Sequence, residues 1–269
     1  MTAQSDNGHP VKDGSARRGE DDATPVPVNR LAIFDIDGTL TATNQVDDDC
    51  YRQTVAEVLG VAPHAIDWTE AEHVTDSGIL QWLWNAHGRP FPTGGEVAAT
   101  RDRFVTRLTD ALRDSPGQFK EVAGAGAALR HIERDGWRVA VATGGWGPSA
   151  RLKLGAARLP VSDTVLACAD DATPRVEIVR LARSRAERVH QCEFARVVAL
   201  GDGAWDVKAA ATLGLPFVGI GSGERADVLR RAGATVVLGD YTDLDVFTRA
   251  LATAGVPRVD RMPSLAPSE

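Results

Sequence analysis

The sequence predicts an α/β fold in which a doubly wound parallel sheet carries an inserted segment made only of helices. Short apolar and β-branched runs alternate with helical patterns through most of the chain, an order typical of parallel sheets. Some runs, such as residues 139–142 and 197–200, are apolar without alternation, which indicates strands covered by helices on both faces. Between residues 44 and 118, in contrast, only helical patterns occur.

The predicted elements follow from these patterns in chain order. Strands are expected at 30–36, 137–142, 164–167, 196–200, 216–220 and 235–238. Helices are expected between them at 125–134, 149–155, 176–190, 204–213, 224–232 and 244–254. The inserted segment should contain helices at 47–59, 77–87 and 96–113. Asp47 is a candidate N-cap for the first of these, and Gly60 is a candidate C-terminal stop.

This order predicts two folded regions and two tails. Residues 30–43 and 119–255 should form the α/β core, and residues 44–118 a helical cap. Because the insert directly follows the first strand, we expect it to lie above the strand ends. Residues 1–29, which lack the apolar segment of a secretory signal, and residues 256–269 are expected to be disordered tails.

Composition excludes several classes of function. The 269 residues are 43% hydrophobic, enough for a substantial core, yet no apolar run is long enough to cross a bilayer. A net charge of −7 argues against a nucleic-acid partner. The three cysteines, Cys50, Cys168 and Cys192, are widely spaced, and we expect buried free thiols in a reducing, cytoplasmic compartment.

The most informative motif is a pair of carboxylates at the end of the first strand. Asp35 and Asp37 follow an apolar run and precede Gly38-Thr39. Residues two apart on a strand point to the same side, so these acids should meet at one strand end. Two crowded like charges are costly unless a cation neutralises them, which predicts a metal-assisted catalytic site.

Later strand ends supply matching groups. Thr143 and Gly144 end the second strand and offer donors to a phosphate oxygen, and Asp202 and Asp206 lie where a later strand meets a helix. Arg175 stands at a predicted helix start, where a guanidinium and the positive helix end both favour an anion. Ligands bind at the carboxyl ends of strands in such sheets, so these groups should share one edge.

At these residues the chain resembles the haloacid dehalogenase superfamily, specifically its helical-cap phosphatases such as phosphoglycolate phosphatases. The resemblance rests on the Asp35-x-Asp37-Gly38-Thr39 motif, on Thr143, and on the Gly-Asp-x-x-x-Asp frame of Asp202 and Asp206. It covers residues from about 30 to 254 and implies a Rossmann-like core. The third motif departs from the usual pattern, because Arg175 follows Pro174 instead of preceding a proline. Arg151 and Lys153 therefore remain alternatives for its basic residue.

The resemblance implies a role for each matched residue. Asp35 would be the nucleophile and Asp37 the general acid and base. Thr143, the Gly144 N–H and Arg175 would bind the phosphoryl group. Mg²⁺ would be held by the Asp35 carboxylate, the Asp37 backbone carbonyl and Asp202, with Asp206 orienting these ligands from behind.

Other polar and aromatic residues near these motifs have simpler interpretations. We expect His73, Thr75 and Asp76 to cap a helix of the insert locally. Trp205, inside the last motif, is expected to cover the sheet edge and not to contact substrate.

Four alternative functions share part of this pattern. Phosphonate hydrolysis in this superfamily needs a lysine in the cap, and no lysine lies between Lys12 and Lys120. Dehalogenation has no use for Asp37 or for a metal ion. A signalling module that only accepts a phosphoryl group needs neither the second acid nor the insert. A sugar-phosphate phosphomutase stays open, because it shares nucleophile, acid, metal and cap.

The sequence thus predicts a Mg²⁺-dependent phosphatase that acts on a small phosphorylated metabolite. Its expected substrates resemble phosphoglycolate or sugar phosphates, since a covered site leaves little room for a macromolecule. No nucleic-acid or membrane partner is expected.

Overall fold

The computed structural model describes residues 29–68 and 70–258 and confirms the predicted fold class. Its parallel sheet has the strand order β3-β2-β1-β4-β5-β6. The strands are β1 (Arg30–Phe34), β2 (Trp137–Ala142), β3 (Leu166–Ala167), β4 (Arg196–Gly201), β5 (Phe217–Ile220) and β6 (Val236–Leu238). Strand β1 pairs with β2 on one side and with β4 on the other, and the order of the strands reverses at this point. The topological switch point therefore lies between β1 and β4.

Helices cover both faces of this sheet. Those that follow the insert are α4 (Ala125–Arg134), α5 (Gly147–Ala156), α6 (Arg175–His190), α7 (Ala204–Leu213), α8 (Gly223–Arg231) and α9 (Leu244–Thr253). On one face, apolar side chains of β1 pack with α4 and α9, and on the other they pack with α6 and α7. Two buried faces explain why the strands lack polar alternation.

The segment between β1 and α4 is helical, as its sequence pattern indicates. It contains α1 (Asn44–Leu59), α2 (Asp76–Ala86) and α3 (Gly94–Asp114). Gly60 ends α1 in the left-handed conformation, with a φ of 73°, which confirms the predicted stop. We call residues 44–118 the helical insert. It has its own apolar core, which reaches the α/β region through Trp146.

Most predicted bounds differ from the structure by one or two residues; β1, for example, ends at Phe34 and not at residue 36. Two of the differences have local reasons. Asp47 is not the N-cap of α1, because the helix begins three residues earlier, after Thr43, and the Asp47 carboxylate binds a lysine of α5 instead. The third strand is shorter than predicted, because Thr164 belongs to a 3-10 turn, in which its N–H donates to the Ser162 hydroxyl.

The expectations on the cysteines can be compared with the structure, whereas those on the tails largely cannot. All three cysteines are free, but Cys192 is only half-buried, whereas Cys50 and Cys168 are buried. The expected tails lie outside the described residues, except for residues 29 and 256–258. Every helix in the described part of the chain is too short or too polar to span a membrane.

Candidate active site

A cavity of about 350 Å³ lies at the carboxyl ends of β1, β2 and β4, between the sheet edge and the helical insert. The parallel strands bring the predicted groups together there, as expected from their positions at strand ends. From the sheet side the cavity is lined by Asp35, Asp37, Thr143, Gly144, Arg175 and Asp202.

Asp35 follows the end of β1, where its backbone N–H donates to the Leu200 carbonyl of β4 at 3.0 Å. Its carboxylate Oδ1 lies 2.5 Å from Nη2 of Arg175, and Oδ2 lies 3.4 Å from the Thr39 hydroxyl. Burial raises the pKa of Asp35 well above its ordinary value even though Arg175 opposes this effect. The carboxylate is thus desolvated and held in place by a guanidinium.

Arg175 begins α6 and links three parts of the site. Its Nε and Nη2 donate to Asp206 Oδ1 at 2.8 and 2.6 Å, in addition to the bond to Asp35. A Cβ atom added to Gly144 would lie 2.6 Å from Nη1 of Arg175, so only glycine allows this approach of the turn after β2. The two carboxylates raise the pKa of Arg175, which keeps it charged despite burial. Of the three basic residues considered for the third motif, Arg175 is thus the one that contacts Asp35.

Asp37 is held by a second cation that belongs to α5. Lys153 is fully buried, and its Nζ lies 2.5 Å from Asp37 Oδ2 and 2.7 Å from Asp47 Oδ1. The other oxygen of Asp37 accepts from the Thr43 hydroxyl at 2.6 Å. Desolvation lowers the pKa of Lys153, but the two carboxylates outweigh it and raise the pKa overall. The lysine joins the strand end to the first helix of the insert.

Sequence reasoning named Lys153 only as an alternative to Arg175 and missed its contact with Asp37. The structure gives each of the two basic residues its own carboxylates. Arg151, the other alternative, is exposed and pairs with Asp163 at 3.0 Å, away from the cavity lining. The residues around Lys153 in the sequence do not distinguish a buried lysine from an ordinary surface lysine.

Asp202 and Asp206 lie at the start of α7. Asp202 Oδ2 accepts from Asn44 at 2.9 Å and from Arg225 at 2.8 Å. Asp206 Oδ2 accepts from the Gly203 N–H at 3.1 Å. Burial and the neighbouring Asp206 charge raise the pKa of Asp202 to about 7.

The donor set fits a hard divalent cation. Asp35, Asp202 and Asp206 each place a carboxylate oxygen within 4.8 Å of the others. Both oxygens of Asp206 already accept hydrogen bonds, whereas Asp35 Oδ2 and Asp202 Oδ1 face at most one weak donor among the described residues. The three carboxylates face two guanidinium groups, those of Arg175 and Arg225, so negative charge remains in excess, and buried oxygen ligands of this kind suit Mg²⁺. Gly38, at a φ of +73°, passes so close to Asp202 that a Cβ there would lie 2.0 Å from its Oδ2.

The remaining predicted phosphate ligand, Thr143, is buried at the end of β2. Its hydroxyl accepts from the Gly145 N–H at 3.1 Å, which shapes the turn, and Thr143 and Gly144 both line the cavity. A glycine turn next to a guanidinium offers several donors to an anion.

The helical insert contributes the opposite wall of the cavity. Thr75 caps α2 by accepting from the Gly78 N–H, as predicted. Asp76 does not cap locally, because its Oδ2 accepts from the backbone N–H of Trp146, 70 residues away, at 2.8 Å. Trp205 lines the cavity and is 40% exposed, and the expectation that it covers the sheet edge without contacting substrate stays a prediction.

Comparisons with known proteins agree with this arrangement. A family model described as haloacid dehalogenase-like hydrolase matches residues 30–214. None of the curated proteins matches the sequence.

Solved structures with a similar fold share little sequence with this chain. A hydrolase from Pseudomonas syringae is 20% identical, with a TM-score of 0.63, over 85% of this chain and 100% of the other. CbbY from Rhodobacter sphaeroides, in complex with xylulose-(1,5)-bisphosphate, is 21% identical, with a TM-score of 0.59, over 80% and 96%. A β-phosphoglucomutase from Clostridium difficile is 13% identical, with a TM-score of 0.60, over 83% and 97%. At these identities the likeness concerns the fold.

Proposed function

The chain belongs to the haloacid dehalogenase-like hydrolases, and on that premise we propose that it hydrolyses a small phosphomonoester with the help of Mg²⁺. The main support is that two neighbouring acids in one cavity each have their own basic partner. Asp35 is bound by Arg175, and Asp37 is bound by Lys153. A nucleophile and a proton donor need different surroundings, and the two cations provide them.

In the proposed reaction, a carboxylate oxygen of Asp35 attacks phosphorus and forms an aspartyl-phosphate. The bond from phosphorus to the leaving oxygen breaks, and Asp37 gives that oxygen its proton, so that an alcohol departs. Asp37 then takes a proton from water, whose oxygen attacks the aspartyl-phosphate. Inorganic phosphate leaves, and the Asp35 carboxylate is regenerated.

The remaining site residues serve this transfer by binding and orientation. Arg175, Thr143 and Gly144 line the cavity, and their donors would neutralise the phosphoryl oxygens. Oxygens of Asp35, Asp202 and the Asp37 backbone carbonyl would hold the ion, while Asp206 keeps Arg175 and the Gly203 N–H in position. When bound, Mg²⁺ would supply positive charge where the Asp35 carboxylate meets the phosphoryl group.

The helical insert would act as the cap that covers this site. Its contacts with the core include the Asp47–Lys153 ion pair, the Asp76 bond to Trp146, and a 2.9 Å bond from the Thr75 hydroxyl to the Thr173 carbonyl. Closure of such a wall over the sheet edge would exclude water from the first transfer step and select the leaving group.

A phosphatase fits the cavity better than a phosphomutase. A mutase that exchanges phosphoryl groups on a sugar phosphate must also bind a second phosphate. Among the described residues that line the cavity, Arg175 is the single basic side chain, and it lies beside Asp35.

The test is release of inorganic phosphate from para-nitrophenyl phosphate by the purified protein, with Mg²⁺ and after its complete removal by a chelator. We expect release only with Mg²⁺, and loss of release in Asp35→Asn. Activity that survives chelation or the Asp35 substitution would overturn the proposal. A second assay tests for a mutase by incubating sugar phosphates with the protein and analysing the products for positional isomers. A mutase would form such isomers without net release of phosphate.

A further inference from the structure

The wall that the helical insert presents to the cavity is acidic. Asp47, Asp48 and Asp76 line it, opposite the Arg175 side of the site. Asp48 is paired with Arg52, and Asp47 shares the single charge of Lys153 with Asp37. The Asp76 residue is 7% exposed, and the one hydrogen bond of its carboxylate within the described residues is from the Trp146 N–H to Oδ2. The other carboxylate oxygen, Oδ1, accepts no hydrogen bond from that part of the chain.

The same wall is aromatic. Tyr51 and Trp68 of the insert and Trp205 of the core line the cavity together with these acids. The rings of Tyr51 and Trp68 meet edge to face, with centroids 5.7 Å apart. Trp68 already holds one cation, since the Arg52 guanidinium lies over its ring at 4.2 Å from the centroid. Aromatic faces beside carboxylates are the recognition chemistry of organic ammonium ions.

No basic side chain of this wall lines the cavity among the described residues, although outside the lining Arg52 pairs with Asp48 and Lys153 with Asp47. A leaving group with a carboxylate or a second phosphate would meet Asp76, which has no basic partner in that part of the chain, and Asp47, which shares Lys153 with Asp37. This favours its rejection. A neutral leaving group would leave the free oxygen of Asp76 without a donor. An ammonium group would satisfy both the charge and the hydrogen-bonding need.

We propose that the substrate is the phosphomonoester of an amino alcohol, with its ammonium group bound between Asp76, Asp47 and the Trp68 and Trp205 rings. The inference rests on the proposed phosphatase function and narrows it to one substrate class. The cavity volume of about 350 Å³ limits the leaving group to a small molecule.

Electrostatics supports this choice. Burial raises the pKa of Asp47 to about 6 and the pKa of Asp76 well above its ordinary value, so both carboxylates have lost much of their hydration. A bound ammonium would replace that lost stabilisation, whereas a neutral alcohol would not.

The test compares esters of matched size that differ in charge at the far end. The first series is phosphoethanolamine, n-propyl phosphate and phosphoglycolate, and the second pair is glucosamine 6-phosphate and glucose 6-phosphate. We expect kcat/KM to be at least about 10-fold higher for the cationic member than for the neutral one, and lowest for phosphoglycolate. Phosphocholine, assayed beside phosphoethanolamine, distinguishes a quaternary from a primary ammonium.

Variants then assign the preference to the wall. Asp76→Asn keeps an acceptor for the Trp146 N–H and should reduce the ratio of kcat/KM for phosphoethanolamine over n-propyl phosphate by about 10-fold. Trp68→Leu should reduce the ratio of kcat/KM for phosphocholine over n-propyl phosphate. Asp49→Asn, an exposed acid of α1 outside the cavity lining, is the matched control and should leave the ratio unchanged.

The two proposals fail in different ways. Hydrolysis of para-nitrophenyl phosphate that depends on Mg²⁺ and on Asp35 would support the phosphatase. If kcat/KM for the neutral esters then equals or exceeds that for the cationic ones, the proposed substrate class is wrong. If no ester releases phosphate, both proposals fail. The comparison of esters uses the wild-type protein, so its outcome does not depend on whether any variant folds.

Discussion

The two walls of the cavity bind their acids in different ways. On the sheet edge, each acid has a basic side chain as its partner: Arg175 for Asp35 and Asp206, Lys153 for Asp37, and Arg225 for Asp202. On the insert, Asp76 is held by a backbone N–H and Asp47 competes with Asp37 for one lysine. The sheet edge thus gives each of its carboxylates a basic partner, whereas among the described residues the insert leaves Asp76 without one.

The largest effect expected on the sheet edge is loss of the Asp35 carboxylate. Asp35→Asn removes the proposed nucleophile and should reduce kcat by ~10⁴-fold or more in a phosphate-release assay. The asparagine retains an acceptor for Arg175, so the fold should persist in circular dichroism. A variant with a residual rate within 10-fold of wild type would show that the sheet edge does not supply the nucleophile.

Removal of Lys153 tests whether the two walls depend on one cation. Lys153→Met leaves Asp37 and Asp47 facing each other without a counter-charge in a buried position. The free energy of unfolding should fall by about 3–5 kcal/mol, measured by urea denaturation. Arg151→Met, two residues away on the same helix and exposed, is the control and should change it by less than about 0.5 kcal/mol. Equal effects of the two substitutions would contradict the shared role of Lys153.

Addition of Mg²⁺ should stabilise the protein through the sheet edge alone. At 100 times its dissociation constant, a ligand of the folded state contributes about 2.7 kcal/mol, which a thermal shift would report. Asp202→Asn should abolish most of this shift, whereas Asp76→Asn should retain it. A shift that survives the Asp202 substitution would place the ion elsewhere.

The smallest expected effect sharpens the description of the insert wall. The folded-state pKa of Asp47, about 6, exceeds the unfolded value near 3.8. Its contribution to stability is therefore present below the unfolded pKa and is lost as the pH rises through 6. Between pH 5 and pH 8, wild type should lose about 1 kcal/mol more than Asp47→Asn in metal-free urea titrations. Parallel curves for the two proteins would mean that Asp47 titrates normally.

Local patterns were sufficient for most of the architecture. Helices α4 and α7 and strand β2 have the predicted bounds. The apolar residues of α4 recur with a strong helical period, β2 ends in a continuous apolar run, and glycines follow α4 and α7 closely. The first and last motifs likewise placed Asp35, Asp37 and Asp202 on one cavity, since parallel strands end at the same edge. Errors arose at the start of α1 and at β3, where a side chain competes with the regular backbone pattern.

Patterns among neighbouring residues were therefore enough to predict the sheet, its helical insert and the acids at the strand ends. The basic partner of each acid, in contrast, depends on how distant segments pack together. Lys153 reaches Asp37 across 116 positions and Asp47 across 106, and Asp76 reaches Trp146 across 70. Charge pairing acts through space and leaves no periodic trace along the chain, so these contacts appear only once the insert packs against the sheet edge.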